Sequence, residues 1–139
     1  MDFNLAFDLR RVGGDVLDCG SLREEMWFIS CPELIVARLF CESMDDSEAI
    51  VVEGVLQFSQ FEGSGETFKC LGPMNLDAFK GPHTVICMDA MNFTSCNQNQ
   101  FAPVCVRREL IKAYAGFKSA KSGTIATGNW GGGCFKVKK

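Results

Sequence analysis

The chain has 139 residues, 47% hydrophobic and 22% charged, which suits one domain with a buried core and leaves little room for a second. A net charge of −3, from 14 basic and 17 acidic residues, lacks the cationic footprint of phosphate-backbone binding and argues against direct nucleic-acid recognition. The cysteines Cys19, Cys31, Cys41, Cys70, Cys87, Cys96, Cys105 and Cys134 lie far apart, form no CxxC or CxxH, and have only His83 for company. Most of them read as small buried hydrophobes in a reducing compartment, not as zinc ligands or bridges.

In chain order, "MDFNLAFDLRR" has acids at Asp2 and Asp8 and no continuous apolar run. It reads as neither a signal peptide nor a membrane span, so a nuclear and cytoplasmic protein without membrane contact is expected. In "GSLREEMWFIS" Ser21 and Glu24 fit a capping box, and Leu22, Met26 and Ile29 recur at helical spacing, which predicts a helix from about Leu22 to Ile29. Pro32 opens a second helix reaching about Cys41, with Ile35 and Leu39 on its apolar stripe. After the polar turn "MDDSE", "AIVVEGV" and "TVICMDAM" read as buried strands, with one short strand and loops between them. The stretch "PVCVRRELIKAYAGFK" reads as a helix whose stripe is Arg107, Leu110, Tyr114 and Phe117, flanked by Val104 and Ile111. "SGTIATGNWGGGCF" reads as a short strand entering a glycine-rich loop. Strands alternating with helices predict α/β layering, with ligands at loops off the strand ends.

Two stretches carry candidate chemistry. "GGDVLDCGSLREE" places glycines ahead of a carboxylate pair; Glu24 and Glu25, as helix neighbours, diverge by about 100° and cannot both face one bond. Taken alone, such acids are most often a solvated helix start. "NWGGGCF" offers a run of backbone N–H groups that no Cβ hinders, of the kind that cradles phosphate oxygens.

Together these stretches resemble the poly(ADP-ribose) glycohydrolase family, which is built on a macrodomain. The family signature, three glycines and then Gln-Glu-Glu, is similar to "GGDVLDCGSLREE". Its Asn-Pro-Glu-Leu-Ile helix start and Arg-Leu-Phe ending are similar to "MWFISCPELIVARLF", and its Ala-Thr-Gly-Asn-Trp-Gly-Cys-Gly-Ala-Phe loop to "IATGNWGGGCF". "FAPVCVRRELIKAYAGF" fits the helix between them. The resemblance implies a partial macrodomain-like mixed sheet flanked by helices over residues 1–139, without the family's C-terminal segment. It implies hydrolysis of ribose–ribose O-glycosidic bonds in poly(ADP-ribose), a part in the DNA damage response, and no cofactor or metal.

By the same resemblance Glu25 is the general acid/base and Glu24 orients ribose hydroxyls. Gly13, Gly14, Gly131, Gly132 and Gly133, with Cys134, line the diphosphate, Phe135 packs on a ribose, Asn129 bonds a ribose hydroxyl, and Phe61 is an aromatic platform on the adenine side. Asp15 stands where the third signature glycine belongs and Arg23 where the glutamine belongs; the acid would repel a diphosphate unless turned away, and the cation would attract it. Leu9 occupies the place of a ribose-binding asparagine and Ser64 that of an adenine-side tyrosine. These departures leave a second expectation, a catalytically inactive ADP-ribose-binding relative or a non-functional fragment.

Overall fold

The computed structural model describes residues 3–7, 10–17, 23–63, 65–75, 77, 81–94, 99–120 and 123–132. Strand β1 (Phe3–Phe7) is followed by helices α1 (Arg23–Ser30) and α2 (Glu33–Phe40), strand β2 (Ile50–Val55) and a hairpin of β3 (Ser59–Glu62) and β4 (Lys69–Pro73). Strand β5 (His83–Met88), helix α3 (Pro103–Phe117) and the short β6 (Ile125–Ala126) complete the order. The main sheet runs β2-β5-β1-β6, with β1 parallel to both β5 and β6 and β2 antiparallel to β5. This is the mixed α/β sheet the sequence predicts.

Alternation along β5 explains the layering, because successive side chains leave opposite faces of the sheet. Val85 and Cys87 join Val12, Phe28, Cys31, Leu34 and Val55 in one core under α1 and α2. Ile86 and Met88 form a second, smaller core with Val51, Ile125 and Trp130. Gly116 brings α3 down onto that face, where an added Cβ would meet Met88 Cε at 1.8 Å. Full burial of a side chain such as Phe28 or Leu34 contributes about 1.5–3 kcal/mol, so these clusters fix how the helices sit.

Three expectations are corrected. β2 is an edge strand and only Val55 in it is buried, since β5 covers one side alone and Gly54, at φ +78°, breaks the register. The segment between the long strands holds a two-stranded hairpin, not one strand, whose glycine and polar positions hide its pairing. Helix α3 forms as expected, but Val104, Leu110, Tyr114 and Phe117 are exposed, and Cys105, Arg108, Lys112 and Gly116 are buried instead. The reason is electrostatic: acids and carbonyls at the end of β5 and ahead of β2 draw the cationic stems of Arg108 and Lys112 inward. Cys31, Cys87 and Cys105 are buried thiols as predicted, whereas Cys70 is exposed. Among the described residues no helix is long and apolar enough to cross a membrane.

Candidate active site

Because β1, β5 and β6 are parallel, their C-terminal ends share one edge of the sheet. The loop carrying Gly13–Asp15 leaves that edge from β1, and the turn at Asn129–Gly132 leaves it from neighbouring β6. Both glycine-rich segments therefore emerge where open α/β sheets bind ligands.

The first loop is anchored by Val12, which is 1% exposed and packs in the core with Phe28. It then turns tightly, with Gly14 N–H donating to the Arg11 carbonyl at 3.0 Å and Val16 N–H to the Gly13 carbonyl at 3.0 Å. Gly13 and Gly14 have φ of +80° and +47°, where a Cβ is strained, and a Cβ on Gly13 would come within 3.1 Å of the Phe28 ring. This turn aims the Asp15 N–H at Glu25 Oε1, 3.0 Å away. Glu25 lies in the first turns of α1 and is 2% exposed, while Asp15 itself is exposed. A solvated helix start does not describe Glu25: its carboxylate is taken from water and oriented by the glycine loop.

On the far side of that loop, Arg38 of α2 donates from Nη1 to the Gly14 carbonyl. Nothing in the sequence singled Arg38 out except its place in the "ARLF" match.

The second loop is held by a clasp that sequence reasoning also missed. Trp130 Nε1 donates to Glu109 Oε2, and the Met91 N–H approaches both Glu109 oxygens, at 3.2 and 3.3 Å. Arg108 Nη1 donates to Glu109 Oε1 at 2.7 Å, which links the clasp to Asp89 and Asp46. Lys112, wholly buried, donates from Nζ to the carbonyls of Asp45 and Glu48 at 2.6 and 2.7 Å and lies 2.7 Å from Asp89 Oδ1. Desolvation alone would raise the Asp46 carboxyl, but the Arg108 hydrogen bond and the charges of Arg108, Arg10 and Lys112 outweigh it and hold it below the ordinary carboxylate value. Burial likewise works to lower Arg108, and its acidic partners Glu109, Asp89 and Asp46 reverse that. Gly131, at φ +57°, is buried, and Gly132 N–H donates to the Asn129 carbonyl at 3.2 Å.

Phe61 of β3 stands edge-on to Trp27, with ring centroids 6.3 Å apart, and tilted against Phe68 at 6.0 Å. The hairpin is thus tied to the helix that carries Glu25, and Phe58 N–H donating to the Ser30 carbonyl at 2.8 Å adds a second tie. The side chains of Arg23 and Glu24 lie outside the described residues, as do Leu9, Ser21, Ser64, Gly133, Cys134 and Phe135. Among the described residues no group of three or more His, Cys, Asp or Glu is arranged to hold a metal.

A model of the family described as poly(ADP-ribose) glycohydrolase, macro domain fold, matches residues 2–139. Poly(ADP-ribose) glycohydrolase 1 of Caenorhabditis elegans is 35% identical over 96% of this chain and 20% of its own length. Poly(ADP-ribose) glycohydrolase 2 of the same organism is 32% identical over 96% of this chain and 31% of its own. Poly(ADP-ribose) glycohydrolase 1 of Arabidopsis thaliana is 34% identical over 80% of this chain and 21% of its own. The chain thus spans between 20% and 31% of the length of these curated relatives. With a family model covering nearly every residue, and a mixed α/β sheet in the structure, the chain belongs to the poly(ADP-ribose) glycohydrolase family of the macro domain fold.

Proposed function

We propose that this chain hydrolyses the ribose–ribose O-glycosidic bonds of poly(ADP-ribose), releasing ADP-ribose, with Glu25 as general acid and then general base. The observation that carries the reading is the Glu25 carboxylate, 2% exposed and fixed at 3.0 Å by the Asp15 N–H within the glycine loop. As the anomeric C–O bond breaks, the protonated Glu25 gives its proton to the departing ribose oxygen and positive charge grows on the anomeric carbon. The ligand's own diphosphate, folded close, stabilises that charge. Water then adds to the carbon and its proton passes to Glu25, which returns to its starting form.

In this reading Gly13, Gly14, Gly131, Gly132 and Gly133, with Cys134, form the diphosphate cradle; the N–H groups of Gly14, Asp15 and Gly132 bond within the protein, so these residues shape its backbone. Asn129 and Glu24 bond ribose hydroxyls, Phe135 packs on a ribose, Arg23 attracts the phosphates and Phe61 supports the adenine side. A nuclear and cytoplasmic location accompanies this reading, and imaging of the tagged chain tests it.

A second reading, an ADP-ribose-binding relative without turnover, is favoured by one feature: Asp15 brings an exposed acid to the glycine loop. Incubating the chain with labelled polymer separates the two. Free ADP-ribose formed by the unaltered chain but not by a Glu24→Gln, Glu25→Gln double substitution supports hydrolysis. Calorimetric ADP-ribose binding without release supports the second reading.

A further inference from the structure

One peptide group stands between the side chains of Arg38 and Glu25. The Gly14–Asp15 peptide accepts the Arg38 guanidinium at its carbonyl oxygen and donates from its N–H to the Glu25 carboxylate at 3.0 Å. In a trans peptide the C=O and N–H point in opposite directions, so Arg38 and Glu25 are held on opposite sides of a single rigid plane. The two positive-φ glycines that precede Asp15 give the plane this orientation. Arg38 also arches over Gly13, whose Cβ position lies 3.4 Å from Arg38 Cδ, so the side chain bears on two consecutive residues of the turn. A carbonyl that accepts a charged donor polarises its own peptide and strengthens donation by the N–H at the other end.

We infer that Arg38 is a positioning residue for Glu25, acting through the Gly14–Asp15 peptide and touching neither substrate nor the reacting atoms. This deepens the reading of Glu25 as acid/base and rests on it for its catalytic consequence. The relay itself is a property of the ligand-free chain. Without Arg38 the peptide is free to rotate, the Asp15 N–H leaves Glu25, and the carboxylate loses the orientation from which it reaches the leaving oxygen.

Amide hydrogen exchange at Asp15, followed by NMR on the full chain, reads the relay without substrate. Arg38→Met and Glu25→Ala should each speed Asp15 exchange by about tenfold or more, while the core amides of Val85 to Cys87 keep their protection. Glu25→Gln, which retains an acceptor oxygen, and Arg38→Lys, which retains a cation without the planar fork, should show smaller increases. On labelled polymer, Arg38→Met should lower kcat by at least about tenfold with KM changed less than threefold, and Arg38→Lys should recover part of the loss. Asp15 exchange unchanged in folded Arg38→Met overturns the inference, as does a loss confined to KM. Should Arg38→Met lose its core protection, Arg38→Lys decides by the same measure, and unchanged Asp15 exchange there is equally fatal. If the unaltered chain releases no ADP-ribose while Asp15 exchange responds as described, the relay stands and only the hydrolase reading fails.

Discussion

Replacing Lys112 by Met keeps the length and most of the apolar stem but removes the ammonium that is wholly buried beneath α3. Three contacts vanish: donation to the Asp45 and Glu48 carbonyls at 2.6 and 2.7 Å, and the ion contact with Asp89 Oδ1 at 2.7 Å. The two carbonyls belong to exposed residues, so water can reach them after modest movement and their loss is the smaller part. Asp89 is 3% exposed and cannot be rehydrated in place, yet it keeps Arg108 as a partner. Breaking a buried ion pair on one side costs about 3–5 kcal/mol, and the surviving Arg108 pair points to the lower end, about 3 kcal/mol. With a slope of about 2 kcal/mol per molar, the urea midpoint should fall by about 1.5 M. In a domain with about 5–15 kcal/mol to lose, the variant folds but marginally. Circular dichroism during urea titration measures this, and Asp89→Asn supplies the double-mutant cycle. Because the two groups share one contact, the combined loss should fall short of the sum of the single losses. A drop below about 1 kcal/mol, or strict additivity, would refute the claim that the polar face of α3 is held by this pair.

Three further outcomes follow from the same geometry. Gly116→Ala ought to stabilise a helix by about 1 kcal/mol, but its methyl would stand 1.8 Å from Met88 Cε and 3.3 Å from Ile86 Cγ2, so thermal unfolding should show a net loss of about 1–3 kcal/mol; any gain contradicts the close packing of α3 on β5. The Asp46 carboxyl, held below its ordinary value of about 3.9 by its basic neighbours, contributes stability that is present above that value and lost as pH falls through the lower folded one. Asp46→Asn should flatten the acid decline of the unfolding midpoint, more at low salt than at high salt, and an unaltered decline argues against the interaction. Cys31 is buried and its thiol is pushed upward by desolvation, against the Ser30 hydrogen bond that works to lower it, whereas Cys70 is exposed. Brief alkylation at pH 8 with peptide mass spectrometry should modify Cys70 well before Cys31, and equal rates would contradict this burial.

Much of the fold was legible because its signals are local. Pro32 opens the second helix, "VICM" is apolar throughout because β5 is covered on both faces, and α3 declares itself over 15 residues. The face that α3 buries was not legible, since periodicity ranks Leu110 and Tyr114 above Arg108 and Lys112, and only the tertiary meeting with Asp89 and the Asp45 and Glu48 carbonyls reverses that order. The hairpin was hidden for a related reason: with β3 only half-buried and β4 largely exposed, neither face repeats apolar residues strongly enough to mark two strands. At the site, Glu25 and the glycines stood out by motif, but residues acting on backbone atoms leave no pattern of their own. Arg38 serves a carbonyl and Glu109 an indole N–H, and each is ordinary in its own stretch of sequence.

The central claim is that Glu25 delivers a proton to the departing ribose. It is tested most directly by comparing the unaltered chain with Glu25→Gln on labelled poly(ADP-ribose), measuring both ADP-ribose release and ADP-ribose affinity. Glutamine keeps the shape and can still accept from the Asp15 N–H but cannot give up a proton, so release should fall by at least about 100-fold. Affinity should change by less than about threefold, because the proton is needed in the transition state and not in the bound ground state. Release by Glu25→Gln at the rate of the unaltered chain would contradict the assignment.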